Sequence, residues 1–147
     1  MPLTRILVIS LIAVTPLRLA CQEVPSPAAE GFDLLTRGHP DSTVALWTLT
    51  WVSTQDAAKK EQLLSSFRQL PEVAGPVVGY DLIRVVDVTP HLRRVYVLLR
   101  CVRQPVYFLV VLYRARDRWT VSTVNWHTDA DQVLPSTLFG AERPVRP

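Results

Sequence analysis

From position 80 onward the sequence takes on a period of two, and this pattern constrains what the rest of the chain can fold into. Four stretches carry it: Tyr80 to Val88, Leu92 to Cys101, Val106 to Tyr113 and Trp119 to Trp126. That is the repeat of a strand, whose side chains alternate between two faces, and not of a helix. The stretches are joined by Thr89-Pro90-His91, by Val102-Arg103-Gln104-Pro105 and by Arg114 to Arg118. Connections this short cannot carry the crossover that a parallel pair needs, so neighbouring strands run antiparallel. The spacing predicts a four-stranded meander.

Helical spacing precedes it. Ala29 to Arg37 puts Phe32, Leu35 and Thr36 on one face, and Gly38 followed by Pro40 stops the segment. Asp41 or Ser42 caps a second helix expected to reach about Val52, with Val44, Trp47 and Trp51 on its inner stripe. Its β-branched residues Thr43, Val44, Thr48, Thr50 and Val52 work against that length. Ser53 or Thr54 caps a third helix. Asp56 and Glu61 lie toward its positive end, Leu63, Leu64, Phe67 and Leu70 form its apolar face, and Pro71 is expected to close it. Residues 71 to 79 form the connection to the first strand. Thr128 caps a last turn through Asp131 to Leu134, and residues 135 to 147 form a loose tail. The fold class is therefore α+β, N-terminal helices packed on a four-stranded antiparallel sheet.

Helices first and long meander strands after, with Trp119-Thr120-Val121 opening the last strand, resemble the nuclear-transport-factor-two-like family, also called the cystatin-like α+β roll. The resemblance covers residues 29 to 134. It is similar to the small exported bacterial members whose role is unassigned. The family also includes ketosteroid isomerases, polyketide cyclases, dehydratases and many non-catalytic binding or dimerisation modules. No motif in this sequence matches the catalytic residues of those enzymes, so the resemblance implies a fold and leaves the activity open.

Met1 to Ala20 reads as an export signal. Arg5 supplies the positive start, and Ile6 to Leu17 is an uncharged run, too short for a membrane span, which needs about 20 residues. Leu19-Ala20-Cys21 loosely resembles a bacterial lipobox, from which Arg18 and Leu19 depart. Periplasmic or extracellular release therefore ranks above lipid anchoring, and membrane attachment is expected only if Cys21 is lipidated. Residues 21 to 28 read as a tether. Without Arg5 and Arg18, fourteen basic residues face thirteen acidic ones, which removes the positive excess that nucleic-acid binding requires. At 147 residues, with 48% hydrophobic and 20% charged residues, the chain suits one folded domain and excludes a disordered one. Its two cysteines are too few for a disulfide framework, and Cys101 reads as a small buried hydrophobe.

The simplest pairing sets Val88 opposite Leu92, Cys101 opposite Val106 and Tyr113 opposite Trp119. It sorts Asp81, Ile83, Val85, Val95, Val97, Leu99, Cys101, Val106, Phe108, Val110, Leu112, Val124 and Trp126 onto the core face. The other face then carries Leu82, Val86, Arg94, Val111, Val121 and Asn125 together with nine candidate interface residues. Those nine are Tyr80, Arg84, Tyr96, Leu98, Arg100, Tyr107, Leu109, Tyr113 and Trp119. Tyrosine, tryptophan and arginine are enriched where proteins bind one another. The expectation is a docking or homodimer face on a non-catalytic domain; cover by the tail or a helix is the alternative. The first and third turns share one end of the sheet and bring Arg93, Arg94, Arg114, Arg116 and Arg118 near Asp87 and Asp117, as a solvated rim or a hold for an anionic partner.

Catalytic chemistry has one weak candidate. The pairing above puts Asp81 in a row with Leu99, Phe108 and Val124, where a desolvated carboxylate suits a general base, with Cys101, Trp126 or His127 as neighbours. This supports the alternative of a small-molecule pocket protein or an isomerase- or cyclase-like enzyme. His127-x-Asp129-x-Asp131 has no fourth donor, and a cap on the final turn accounts for its acids, so neither metal nor cofactor is expected. His39 and His91 stand beside prolines in turns.

Overall fold

The computed structural model describes residues 23–51 and 53–139; Met1 to Ala20, Cys21 and the end of the tail lie outside the described residues. Three helices precede the sheet: α1 (Ala28–Thr36), α2 (Pro40–Trp47) and α3 (Thr54–Ala74). Strands β1 (Val77–Thr89), β2 (Leu92–Cys101), β3 (Val106–Arg114) and β4 (Trp119–His127) follow in the order β1-β2-β3-β4, each antiparallel to the next. The α+β meander expected from the sequence is the architecture observed.

The residues expected to form a tether are partly built into this body. Val24 packs against the core, and Ala28 is fully buried as the first residue of α1. Helix α2 stops at Trp47, short of the expected Val52. Thr48 turns its hydroxyl onto the Val44 carbonyl at 2.7 Å, and the β-branched Thr50 beyond it stands outside the helix. Helix α3 begins where the cap was expected. The Ser53 side chain accepts from the Asp56 N–H at 3.2 Å and the Asp56 carboxylate accepts from the Ser53 N–H at 3.0 Å, a reciprocal capping box.

Pro71 does not close α3, which continues to Ala74. The continuation is held from outside the helix, by the turn between β2 and β3. Arg103 Nη2 donates to the Pro71 carbonyl at 2.7 Å and also to that of Glu72. Gln104 Nε2 donates to the Val73 carbonyl at 3.1 Å, and the Arg103 N–H to the Ala74 carbonyl at 2.9 Å. The carbonyls of Glu72, Val73 and Ala74 are ones that a helix end leaves unpaired, while that of Pro71 also accepts from the Gly75 N–H at 3.0 Å; a guanidinium there meets the negative end of the helix dipole. Gly75 makes the approach feasible. It stands at φ 85°, and a Cβ there would meet the Arg103 backbone nitrogen at 3.1 Å.

The core lies between the helices and one face of the sheet. Phe32 of α1, Trp47 of α2, Phe67 of α3 and Phe108 of β3 are almost entirely buried. They meet edge to face: Phe32–Trp47 at 5.1 Å, Phe32–Phe108 at 5.3 Å, and Trp47–Phe67 and Phe67–Phe108 both at 5.9 Å. The Trp47 indole donates to the Pro27 carbonyl at 3.1 Å, so its one polar atom is satisfied. Helix α1 lies so close to α2 that a methyl on Gly31 would stand 2.1 Å from Trp47 Nε1.

The faces of the two central strands were legible in the sequence but their register was not, whereas β1 keeps the expected pairing with β2 from Arg84 to Asp87. Strands β2 and β3 pair without interruption, Leu99 opposite Val106 through Leu92 opposite Tyr113. This is two residues from the expected register and therefore keeps every side chain on its expected face. In β1 the pairing with β2 skips Val78, Ile83 and Val88, and in β4 the pairing with β3 skips Ser122; the two skips that re-sort the faces are Ile83, between Leu82 and Arg84, and Ser122, between Val121 and Thr123. Beyond each bulge the faces exchange.

Two substitutions separate these contributions. Phe67→Ala removes a fully packed ring and is expected to cost about 3–5 kcal/mol. Arg103→Ala, on the surface, is expected to cost about 1–2 kcal/mol by exposing the end of α3. Urea unfolding of each variant, read by far-ultraviolet circular dichroism, checks both; an Arg103→Ala midpoint equal to wild type removes the role given to that turn.

Candidate functional site

The bulge at Ile83 decides the fate of Asp81. Past that point Asp81 pairs with Leu98 and Tyr80 with Leu99, so the carboxylate turns away from the core. It lies 3.1 Å from Arg100 Nε with about half of its side chain in solvent (55%). Asp81 is thus corrected from the aliphatic face to the outer one, and the general-base geometry expected for it is not formed. The space between the helices and the sheet is occupied by Phe32, Trp47, Phe67 and Phe108. Ile83, expected in the core, is exposed.

Tyr80 and Leu82 make the opposite move and pack against the core cluster. The Tyr80 ring lies 5.3 Å from Phe32, and its hydroxyl donates to Asp33 Oδ1 at 2.8 Å. Desolvation, and then the bond to the Asp33 carboxylate, push the Tyr80 phenol up to about 12. At the other side of the sheet the Ser122 bulge turns Trp119 and Val121 inward, and both join the core cluster. Tyr80 and Trp119 are therefore removed from the candidate interface.

The other seven candidates stay together on the outer face: Arg84 of β1, Tyr96, Leu98 and Arg100 of β2, and Tyr107, Leu109 and Tyr113 of β3. Arg94 and Val111 lie among them. The three α-helices pack on the opposite face. Tyr96 is nonetheless buried, 3% exposed, and so is Leu134 in the segment after β4; neither belongs to the core cluster between helices and sheet, so the centre of the outer face is covered. Leu98, Tyr107, Leu109 and Val111 are half-buried, while Tyr113, Arg84, Arg94 and Arg100 are exposed. Among the described strand residues of this face, three guanidinia stand against one carboxylate, that of Asp81.

The turn end of the sheet holds a second group, on the core side. Arg93 and Arg114 each place their guanidinium 4.9 Å from the centroid of the Trp119 ring. Arg93 Nε bonds Asp87 Oδ1 at 2.6 Å, and Arg114 Nη2 donates to the Pro90 carbonyl at 2.9 Å. The shared end of the first and third turns foreshadowed this grouping of arginines; the tryptophan at its centre was missed, because the bulge that turns it inward leaves no mark in the alternation.

Cys101 packs partly buried against the core, and desolvation pushes its thiol up, which makes it less of a nucleophile. His127 Nδ1 accepts from the Asp129 N–H at 2.9 Å, and Asp129 caps the turn that follows by accepting from the Asp131 N–H at 3.1 Å. Among the described residues no group of three His, Cys, Asp or Glu could hold a metal ion. No helix of the described residues is long and apolar enough to cross a membrane. No protein-family model, curated protein or solved structure matches the chain.

The Tyr80–Asp33 contact has a pH signature. A free tyrosine ionises near about 10, and Tyr80 in the folded chain near 12. Between those values the unfolded chain loses a proton that the folded chain keeps, so this contribution to stability is complete below about 10 and is lost as the pH rises toward 12. Absorbance titration of phenolate formation is expected to show a step near 12 that Tyr80→Phe removes; a variant trace identical to wild type contradicts the assignment.

Proposed function

We propose that this chain is an exported, non-catalytic binding domain that docks a protein partner through the outer face of its sheet. The observation that carries the reading is the composition of that face. Around the covered Tyr96, Tyr113 is exposed and Tyr107, Leu98, Leu109 and Val111 keep part of their apolar area open, with the exposed Arg84, Arg94 and Arg100 among them, on the side of the sheet away from the three α-helices. Aromatic and arginine side chains combine apolar area with polar tips, which is what the core and rim of a recognition surface use. Export rests on Arg5 and the uncharged run from Ile6 to Leu17. The order of elements still supports the proposal of a nuclear-transport-factor-two-like roll. The enzyme alternative centred on Asp81 has lost its support, since that carboxylate is exposed and paired with Arg100.

The charge on the face favours an acidic partner over a second copy of the chain. Two copies placed face to face would bring six guanidinia against two carboxylates, and only Asp81 of each could offset them. An acidic surface meets the same arginines with forked, charge-assisted bonds.

A photo-crosslinking residue at Tyr113, with Ser65 on the exposed side of α3 as control, tests the proposal in the cells that make the protein. Adducts are expected at position 113 only, and Arg94→Glu is expected to reduce them at least about fivefold. Equal adducts at both positions, or none at 113, overturn the reading. Sedimentation of the chain alone separates the partners: a dimer that Tyr113→Asp abolishes makes the partner a second copy.

A further inference from the structure

We propose that the turn end of the sheet is a separate binding site for a tetrahedral oxyanion, a phosphate or sulfate carried as the end group of a larger molecule, held between Arg93 and Arg114 beside Trp119. The site lies on the core side of the sheet and does not depend on the outer-face reading. Its walls come from both hairpin turns and enclose a shallow depression of ≈ 500 Å³, lined by Asp87, Pro90, Arg93, Arg114 and Trp119 among others. That volume falls within the range of small-molecule sites, about 300–1,000 Å³. It is open to solvent, as an end group on a larger molecule requires.

The donors are set and incompletely used. Arg114 is fixed at the end of β3: its N–H donates to the His91 carbonyl at 2.9 Å and its Nη2 to the Pro90 carbonyl at 2.9 Å. Its Nε is buried and has no hydrogen-bond partner. A buried donor left unpaired costs about 1–3 kcal/mol, so an acceptor arriving there recovers more than the same bond would on an open surface. Asp87 takes Arg93 at Nε, which leaves the far edge of that guanidinium for a ligand. The Trp119 ring lies against both guanidinia and keeps water from that side, which strengthens any charge-assisted bond made there.

Charge and geometry select the ligand. Arg116 and Arg118, in the turn that also contains Asp117, raise the positive field around Arg93 and Arg114 above what Asp87 and Asp117 offset. Two guanidinia presented from different strands offer donors in different directions. A tetrahedral anion can accept from both at once, whereas a planar carboxylate matches one fork.

Nitrogen-15 spectra of the full chain, titrated with sodium sulfate and inorganic phosphate at constant ionic strength against chloride, test the proposal. The Arg114 Nε–H and Trp119 indole resonances are expected to shift and saturate. Arg93→Gln is expected to weaken binding at least about tenfold, and Arg116→Gln by less than about twofold. The unchanged spectrum of the rest of the chain shows that each variant is folded. Shifts that grow linearly without saturating, or equal losses in both variants, overturn the site. Given saturation, pelleting with phosphatidylglycerol vesicles but not with phosphatidylcholine ones makes the source a lipid headgroup, and a chain left in the supernatant makes it a soluble phosphate or sulfate ester.

Discussion

The pairing of the two central strands is the constraint on which the remainder of the molecule depends. Because β2 and β3 run in uninterrupted register, Val95, Val97 and Leu99 share one face with Val106, Phe108, Val110 and Leu112, and all seven are fully buried. This surface receives the rings of Phe32 and Phe67 from two different helices, with Phe108 meeting both. A slip of one residue between these strands would send all seven side chains to the other face and leave the helices without a floor. A slip of two would change their neighbours and preserve the layers.

The outer strands are under a different demand. An edge strand beside a packed helical layer has to bend to keep its apolar side chains in contact, and unpaired residues supply the bend. Ile83 does this in β1 and Ser122 in β4. The consequence for chemistry is direct. One bulge carries Tyr80 onto Phe32 and Asp33 and releases Asp81 to Arg100; the other brings Trp119 within reach of Arg93 and Arg114. With the core filled and the carboxylate exposed, the binding proposed for this chain rests on two surfaces, one on the outer face and one at the turns.

Polar ties between distant segments complete the framework. Trp51, in the connection after α2, donates from its indole to the Val121 carbonyl at 3.1 Å and fastens that connection to the last strand. The buried Thr43 hydroxyl reaches the Gly31 carbonyl at 3.0 Å, linking α2 to α1. Arg103 closes the end of α3 from the turn between β2 and β3. In each case a loop or helix residue satisfies a backbone group far away in sequence, which is where buried polar groups find their partners when their own element has ended.

The sequence by itself determined the class, the order of elements, the start of α3 at Ser53 or Thr54 and the faces of the two central strands. These are local properties, readable from side-chain period, turn length and the chemistry of neighbouring residues. It also determined that the arginines of the first and third turns would meet, since a meander returns every second turn to the same end. Only the tertiary structure decided where the outer strands break register, that α3 runs past Pro71, and that Trp119 stands between two guanidinia. A bulge answers to the curvature needed to follow the helices, and a helix end answers to whichever segment can supply donors. Both are sums over residues far apart in the chain, and no window of the sequence contains them.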